Sequence, residues 1–171
     1  MVCTLLSACG GESAKLLPTP VETNQALILQ HQSIWNANKL NNYSFIYASA
    51  PRCDTADPFP AVTITVKNGQ AVSATFPILK EVKADTPGAV ATTISGPNGS
   101  NTIYHVFELH ETSGFRVTIA DVFKTMLEQN QKQNLTNIRF QETLGSPLAF
   151  EILGPGKCDT FVVSISKPEP L

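Results

Sequence analysis

The 171-residue chain has no long apolar run, no cluster of Lys or Arg and few charges of either sign. Without a stretch of about 18 or more apolar residues, nothing reads as a membrane-spanning helix. Phosphate backbones are gripped by basic stripes, so nucleic-acid binding is set aside. The sequence also lacks a G-x-S-x-G elbow, an H-E-x-x-H pair and its inverted form, which removes the usual signatures of serine hydrolases and zinc peptidases. Charged residues make up only 15%, the formal net charge is −2, and apolar residues reach 42%. That balance is too apolar for a disordered chain and suits one folded domain, with Thr, Ser and Asn supplying much of the polarity.

The sharpest positive signal lies at the N-terminus. Leu6-Ser7-Ala8-Cys9 matches a lipobox: a branched apolar residue, two small residues, then the Cys that receives the lipid. The competing reading is a chance match in an apolar stretch. A leader needs a basic segment and an apolar core of roughly 7–15 residues. Only Met1 to Ala8 precede Cys9, so this reading expects further residues upstream of Met1. It divides the chain into a leader remnant at 1–8, a lipidated Cys9 with a tether over 9–23, and a single domain over 24–167. Lipidation would place the domain in a bacterial cell envelope, held to the membrane by acyl chains such as palmitate. Gly10 after the Cys favours the periplasmic face of the outer membrane if the cell is Gram-negative. Pro18 and Pro20 suit the tether.

Four cysteines are present. Cys3 would leave with the leader and Cys9 would be lipidated, so Cys53 and Cys158 remain. In an oxidising compartment they permit one disulfide; the alternative is two buried free thiols.

Hydrophobic periodicity predicts a helix over 24–38, with Leu27, Ile28, His31, Ile34 and Trp35 on one face and Thr23 or Asn24 as cap. On that face His31 reads as a hydrogen-bonded core or boundary imidazole rather than a ligand. A strand is expected over 43–48, with Tyr43, Phe45 and Tyr47 on one side, then a Pro- and Asp-rich loop over 51–60. Val62, Ile64 and Val66 alternate with polar residues before the Asn68-Gly69 turn. A two-residue turn would put Val66 opposite Ala71 and Ile64 opposite Ser73. A three-residue loop would put Ile64 opposite Val72 and Val62 opposite Ala74, and that register gives the cleaner apolar face. From 77 to 117 the pattern weakens into an irregular insert, although residues 102–109 read as a strand, with a short helix as the alternative. Residues 118–132 predict the second helix, capped by Thr118 and Asp121, with Ile119, Val122, Phe123, Met126 and Leu127 as its apolar stripe. Three strands close the chain, marked by Ile138 and Phe140, by Leu148, Phe150 and Ile152, and by Phe161, Val163 and Ile165. The expectation is an α+β fold of order α-β-β-β-(insert)-α-β-β-β, with two helices packed on one face of an antiparallel sheet.

With these elements placed, the chain resembles the bacterial family catalogued as domain of unknown function 6174. The resemblance rests on Trp35, Asn42-Tyr43-Ser44-Phe45, Cys53, the Val62 to Gly69 hairpin, Thr118 to Phe123, and Phe140-Gln141 through Gly145-Ser146-Pro147. Gln141 stands where that family usually has Asp, and Ser146 where it has an aromatic. The likeness implies a small envelope domain, often lipid-anchored, and no activity.

One cluster of ligand-type side chains exists, His105, Glu108, His110 and Glu111. On a strand the two His would point to opposite faces, and on a helix they would lie about 140° apart, so neither arrangement converges on one metal. Asp54, Asp57, Glu108, Glu111 and Glu142 are the carboxylates a catalytic pair would draw on. Gly154-Pro155-Gly156 reads as a turn. No cofactor, metal or catalytic residue is expected. Three functions are weighed. The leading one is a non-catalytic interaction or scaffold module, presenting a sheet face or the insert to an envelope protein through an exposed aromatic patch. Second is a carrier of a lipid or other apolar ligand in a cavity lined by Trp35, Tyr43, Phe45 and Phe123. Last is a hydrolytic enzyme, which would need converging polar groups in a cleft.

Overall fold

The computed structural model describes residues 17–53, 61–96, 99–112, 114 and 116–171. Two helices and a large antiparallel sheet of nine strands make the fold α+β and mostly β.

Helix α1 spans Pro20–Ala37. Thr19 caps it: its hydroxyl accepts from the Glu22 N–H at 3.3 Å, and the Glu22 carboxylate accepts from the Thr19 N–H at 2.7 Å. Pro20 opens the first turn, where its missing N–H costs nothing. These bonds to the carboxylate, first from the Thr19 backbone and then from its hydroxyl, hold Glu22 below its ordinary pKa. The helix therefore starts four residues before the predicted 24, Thr23 and Asn24 are not its cap, and residues 20–23, expected in the tether, are helical, while residues 9–16 of that segment lie outside the described residues. The expected apolar face is real, with Ile28 and Trp35 buried and Leu27, His31 and Ile34 partly so. Helix α2, Ile119–Gln131, begins as predicted in a capping box of Thr118 and Asp121.

The strands are β1 Tyr43–Pro51, β2 Val62–Lys67, β3 Gln70–Val82, β4 Val90–Gly96, β5 Gly99–Glu111, β6 Leu135–Phe140, β7 Pro147–Ile152, β8 Phe161–Ile165 and β9 Glu169–Pro170. Their order across the sheet is β4-β5-β3-β2-β1-β8-β7-β6, with β9 pairing β1 beyond the end of β8. The 43–48 strand, the 102–109 strand and the last three predicted strands are all present; β9 is an addition.

Two expectations are corrected. The β2–β3 hairpin takes the two-residue turn, with Asn68 and Gly69 both at positive φ (53° and 75°), and Val66 faces Ala71. A bulge between Thr65 and Val66 then skips Val72, so that Ile64 faces Ala74 rather than Ser73 or Val72. One extra residue resets the two-residue side-chain alternation. Val62, Ile64, Val66 and Ala74 are consequently all buried, and Val72 turns out to solvent.

The second correction concerns the insert. Much of the described part of 77–117 is regular strand: β3 continues to Val82 and pairs β5 from Thr75↔Glu111 to Val82↔Tyr104, while β4 pairs β5 from Val90↔His105 to Gly96↔Gly99. The element order is thus α-β-β-β-β-β-α-β-β-β-β. Pro77 is accommodated for a reason visible in the ladder. Ala74 accepts from the Thr112 N–H on the β5 side; alternation turns the Pro77 nitrogen to the other side, where β2 has already ended.

One core unites the elements. Ile28 and Trp35 of α1 and Ile119, Val122, Phe123 and Met126 of α2 meet Tyr43, Phe45, Val62, Ile64, Val66, Ala74, Leu135, Phe150, Val163 and Ile165 from the strands. The Tyr43 hydroxyl, buried in that core, accepts from the Ile119 N–H at 3.2 Å and so satisfies an orphan donor of α2.

Candidate functional site

The outer half of β3 with β4 and β5 forms a three-stranded arm beyond the last β2 pair. Strand alternation gives the arm two faces. Ala74 and Phe76 reach the core from the even-numbered face of β3. On the opposite face the register brings Pro77 beside Leu109, Leu79 beside Phe107, and Val90 and Glu81 on either side of His105. Phe107 is 66% exposed, Leu109 71%, Leu79 60% and Val90 50%. Four large apolar side chains therefore share one uncovered face, a grouping that scattered surface residues do not make.

The His/Glu cluster lies along the same strand and does not converge. His105 is on the apolar face, edge-on to Phe107 with ring centroids 6.2 Å apart. His110 is on the other face, near Phe76 and 3.9 Å from Glu108, which also pairs with Lys80 at 3.3 Å. Glu111 has the parity of His105, not of Glu108. Among the described residues no three His, Cys, Asp or Glu side chains come together. Glu142 is exposed in the turn after β6, remote in register from these groups, and Asp54 and Asp57 lie outside the described residues.

Cys53 and Cys158 are joined in a disulfide. The bond ties the end of β1 to the short helix before β8, beside the Pro51↔Phe161 pair and the Arg52 N–H donating to Thr160 at 2.8 Å. The lipobox and Cys9 lie outside the described residues. Trp35, Tyr43, Phe45 and Phe123 pack into the core rather than around one shared space, and Phe45 alone of the four borders a separate surface groove of about 440 Å³. Trp35 meets Tyr43 edge-on at 5.2 Å, Tyr43 lies 5.9 Å from Phe45, and Phe123 stacks on Phe140 at 6.1 Å. A surface notch of about 180 Å³ touches only Trp35 and Tyr43 of the four. His31 is a half-buried boundary imidazole held by stacking on Phe140 at 4.1 Å, and the expected hydrogen bond is missing: its buried Nδ1 finds no partner among the described residues.

On the outer side of β7, a pocket of about 390 Å³ is lined by Asn137, Arg139, Ala149, Glu151 and Val162 among others. Glu151 already accepts from Asn137 at 2.8 Å and from Arg52 at 3.3 Å. The pocket's carboxylate is thus already engaged, above a floor that includes Ala149 and Val162.

The exposed patch was anticipated only as a type. Phe107 and Leu109 sit in a mostly apolar run, which favours burial, and only the pairing with β3 reveals that this face is bare. No protein-family model, curated protein or solved structure matches this chain.

Proposed function

We propose that this chain is a non-catalytic interaction module of the bacterial cell envelope, anchored to the membrane through a lipid on Cys9, with the arm as its binding element. The observation that carries the reading is the uncovered face of Leu79, Val90, Phe107 and Leu109 on an arm that projects past the core. Burying such a face against a protein partner removes apolar surface from water at about 25 cal/mol per Å². Exposed aromatics of this kind are the usual anchors of protein interfaces. The two helices are taken as the cover of one sheet face, which leaves the arm and the opposite face free for a partner. The resemblance to the often lipid-anchored envelope family agrees with this placement, and Gly10 after Cys9 favours the periplasmic face of the outer membrane if the cell is Gram-negative.

An apolar-ligand carrier would need room beside Trp35, Tyr43, Phe45 and Phe123, whereas Trp35 and Phe45 both pack on Tyr43, and Phe123 packs on Phe140. A hydrolytic site would need converging groups, and Glu108 and Glu111 point to opposite faces.

The test is cross-linking and capture from membranes with the full chain, comparing the parent with Phe107→Ser/Leu109→Ser. Loss of the captured protein at unchanged thermal stability supports the reading, and equal capture by both sinks it. Intact mass of membrane-extracted protein tests the anchor: acyl chains on a chain beginning at Cys9 support it, and an unmodified Cys9 removes it.

A further inference from the structure

We propose that β4 pairs with β4 of a second copy of this chain, antiparallel and centred on Thr93, so that two arms join into one six-stranded sheet. The inference goes beyond the partner-binding reading: it shares the arm with that reading but stands on the β4 edge alone, and names an occupant for that edge.

The sheet has two ends, β4 and β6. The β6 end is blunted. Asn137 has a positive φ of 50°, the register shifts on both sides of Arg139, and Arg139 is exposed. Bulges and edge charges of this kind prevent strand addition. At the β4 end none of these devices appears. Val90–Gly96 reads VATTISG, with no charge and no proline, and its ladder to β5 runs without a shift over seven pairs.

The ladder also fixes which backbone groups are free. Thr112 donates to Ala74, so even-numbered residues of β5 turn their N–H and C=O toward β3 and odd-numbered ones toward β4. His105, Ile103 and Asn101 thereby engage Val90, Thr92 and Ile94, which leaves Ala91, Thr93 and Ser95 facing outward from β4. These three are symmetric about Thr93. An antiparallel pair of β4 strands sets Thr93 against Thr93 and Ala91 against Ser95, forms about six main-chain hydrogen bonds, and brings no like charges together. The two-fold axis stands normal to the sheet. Leu79, Val90, Phe107 and Leu109 of both copies then share one side, doubling the apolar surface offered to a partner. Tethering both copies to one membrane raises their effective concentration.

Sedimentation velocity on the full, disulfide-bonded chain tests this. The expected result is a concentration-dependent dimer. Thr93→Pro removes an outward N–H without touching a β5 bond and abolishes the dimer, with the circular-dichroism melt unchanged. Thr93→Lys and Thr93→Glu each weaken it by at least about tenfold, and mixing the two restores it. Phe107→Ser/Leu109→Ser remains dimeric, because those side chains lie one strand in from the edge. A monomer at every concentration overturns the proposal, as does a dimer that survives Thr93→Pro. A chain that is monomeric alone but adds a strand from another protein also overturns it. Partner capture by a monomeric chain would leave the interaction reading standing, whereas dimerisation with no partner captured would sink that reading and leave this one.

Discussion

Removing the Cys53–Cys158 bond is the most quantitative perturbation the fold offers. The two residues are 105 apart in sequence, so the bond closes most of the domain into one loop. On the chain-entropy model, closing a loop of that length removes about 16 cal/mol/K from the unfolded ensemble, or about 4.7 kcal/mol at 25 °C. In the folded state the bond adds little, because the β1–β8 ladder already holds the two ends together through Pro51↔Phe161 and the Arg52–Thr160 hydrogen bond. The stabilisation thus acts almost wholly on the unfolded chain. With a urea m-value of about 2 kcal/mol/M, the double variant Cys53→Ser/Cys158→Ser should lose about 2 M in its unfolding midpoint while keeping the native circular-dichroism spectrum. Equilibrium urea unfolding of parent and variant, with a parallel run on the reduced parent, supplies the numbers. A loss below about 1 kcal/mol would refute the argument, because a closed loop of this size cannot be so nearly neutral unless the reduced unfolded chain stays compact.

Tyr43→Phe should cost about 1–2 kcal/mol in urea unfolding, since it strips the acceptor from the Ile119 N–H inside the core. Burial raises the pKa of both Tyr43 and Tyr47, so the fold favours their neutral forms; that stability is complete below the unfolded value near 10 and is lost as pH rises through the higher folded values. Alkaline unfolding should therefore begin above about pH 10, and Tyr43→Phe should depend less on pH there when followed by fluorescence. Gly145→Ala should be severe, about 2–4 kcal/mol, because the position has a φ of +76° and a Cβ would meet the His31 carbonyl and sit 2.8 Å from the Trp35 nitrogen; a melt lowered by only a degree or two would contradict that packing. Ser146→Ala should be neutral or stabilising by up to about 1 kcal/mol, since the buried hydroxyl has no partner among the described residues, and a clear loss of stability would expose a bond the packing does not account for.

The readable parts of the sequence were those where one face is buried. Helix α2, β1, β2 and the last strands bury one side and wet the other, so their periodicity stands out. The start of α1 was masked by Pro18 and Pro20, which look like tether residues; the capping pair Thr19 and Glu22 was the signal available, with Pro20 at the first helical position as its companion. The β2–β3 register resisted because pairing a two-residue turn with unbroken alternation spoils the apolar face, and only a bulge reconciles the two. The arm was illegible for a different reason. Both of its faces are largely exposed, so apolar residues such as Leu79 and Phe107 occur without the alternation that marks a core strand, while Pro77, Pro87-Gly88 and Gly96-Pro97 read as loop punctuation. The candidate surface was therefore foreseen as a kind and not as residues. The Cys53–Cys158 pair, by contrast, followed from counting thiols.

Strand β3 belongs to the core at one end and to the arm at the other, and this has a consequence for how the arm can change. Beyond Pro77, among the described residues, no strand but β5 pairs with β3. Two residues added to or removed from each of β3 and β5 there would lengthen or shorten the reach of the arm while leaving every side chain on its original side. One residue added to or removed from each strand would instead turn Leu79 and Phe107 over to the opposite face together. The arm is in this sense a ruler graduated in steps of two residues, and its length can be adjusted without disturbing the core.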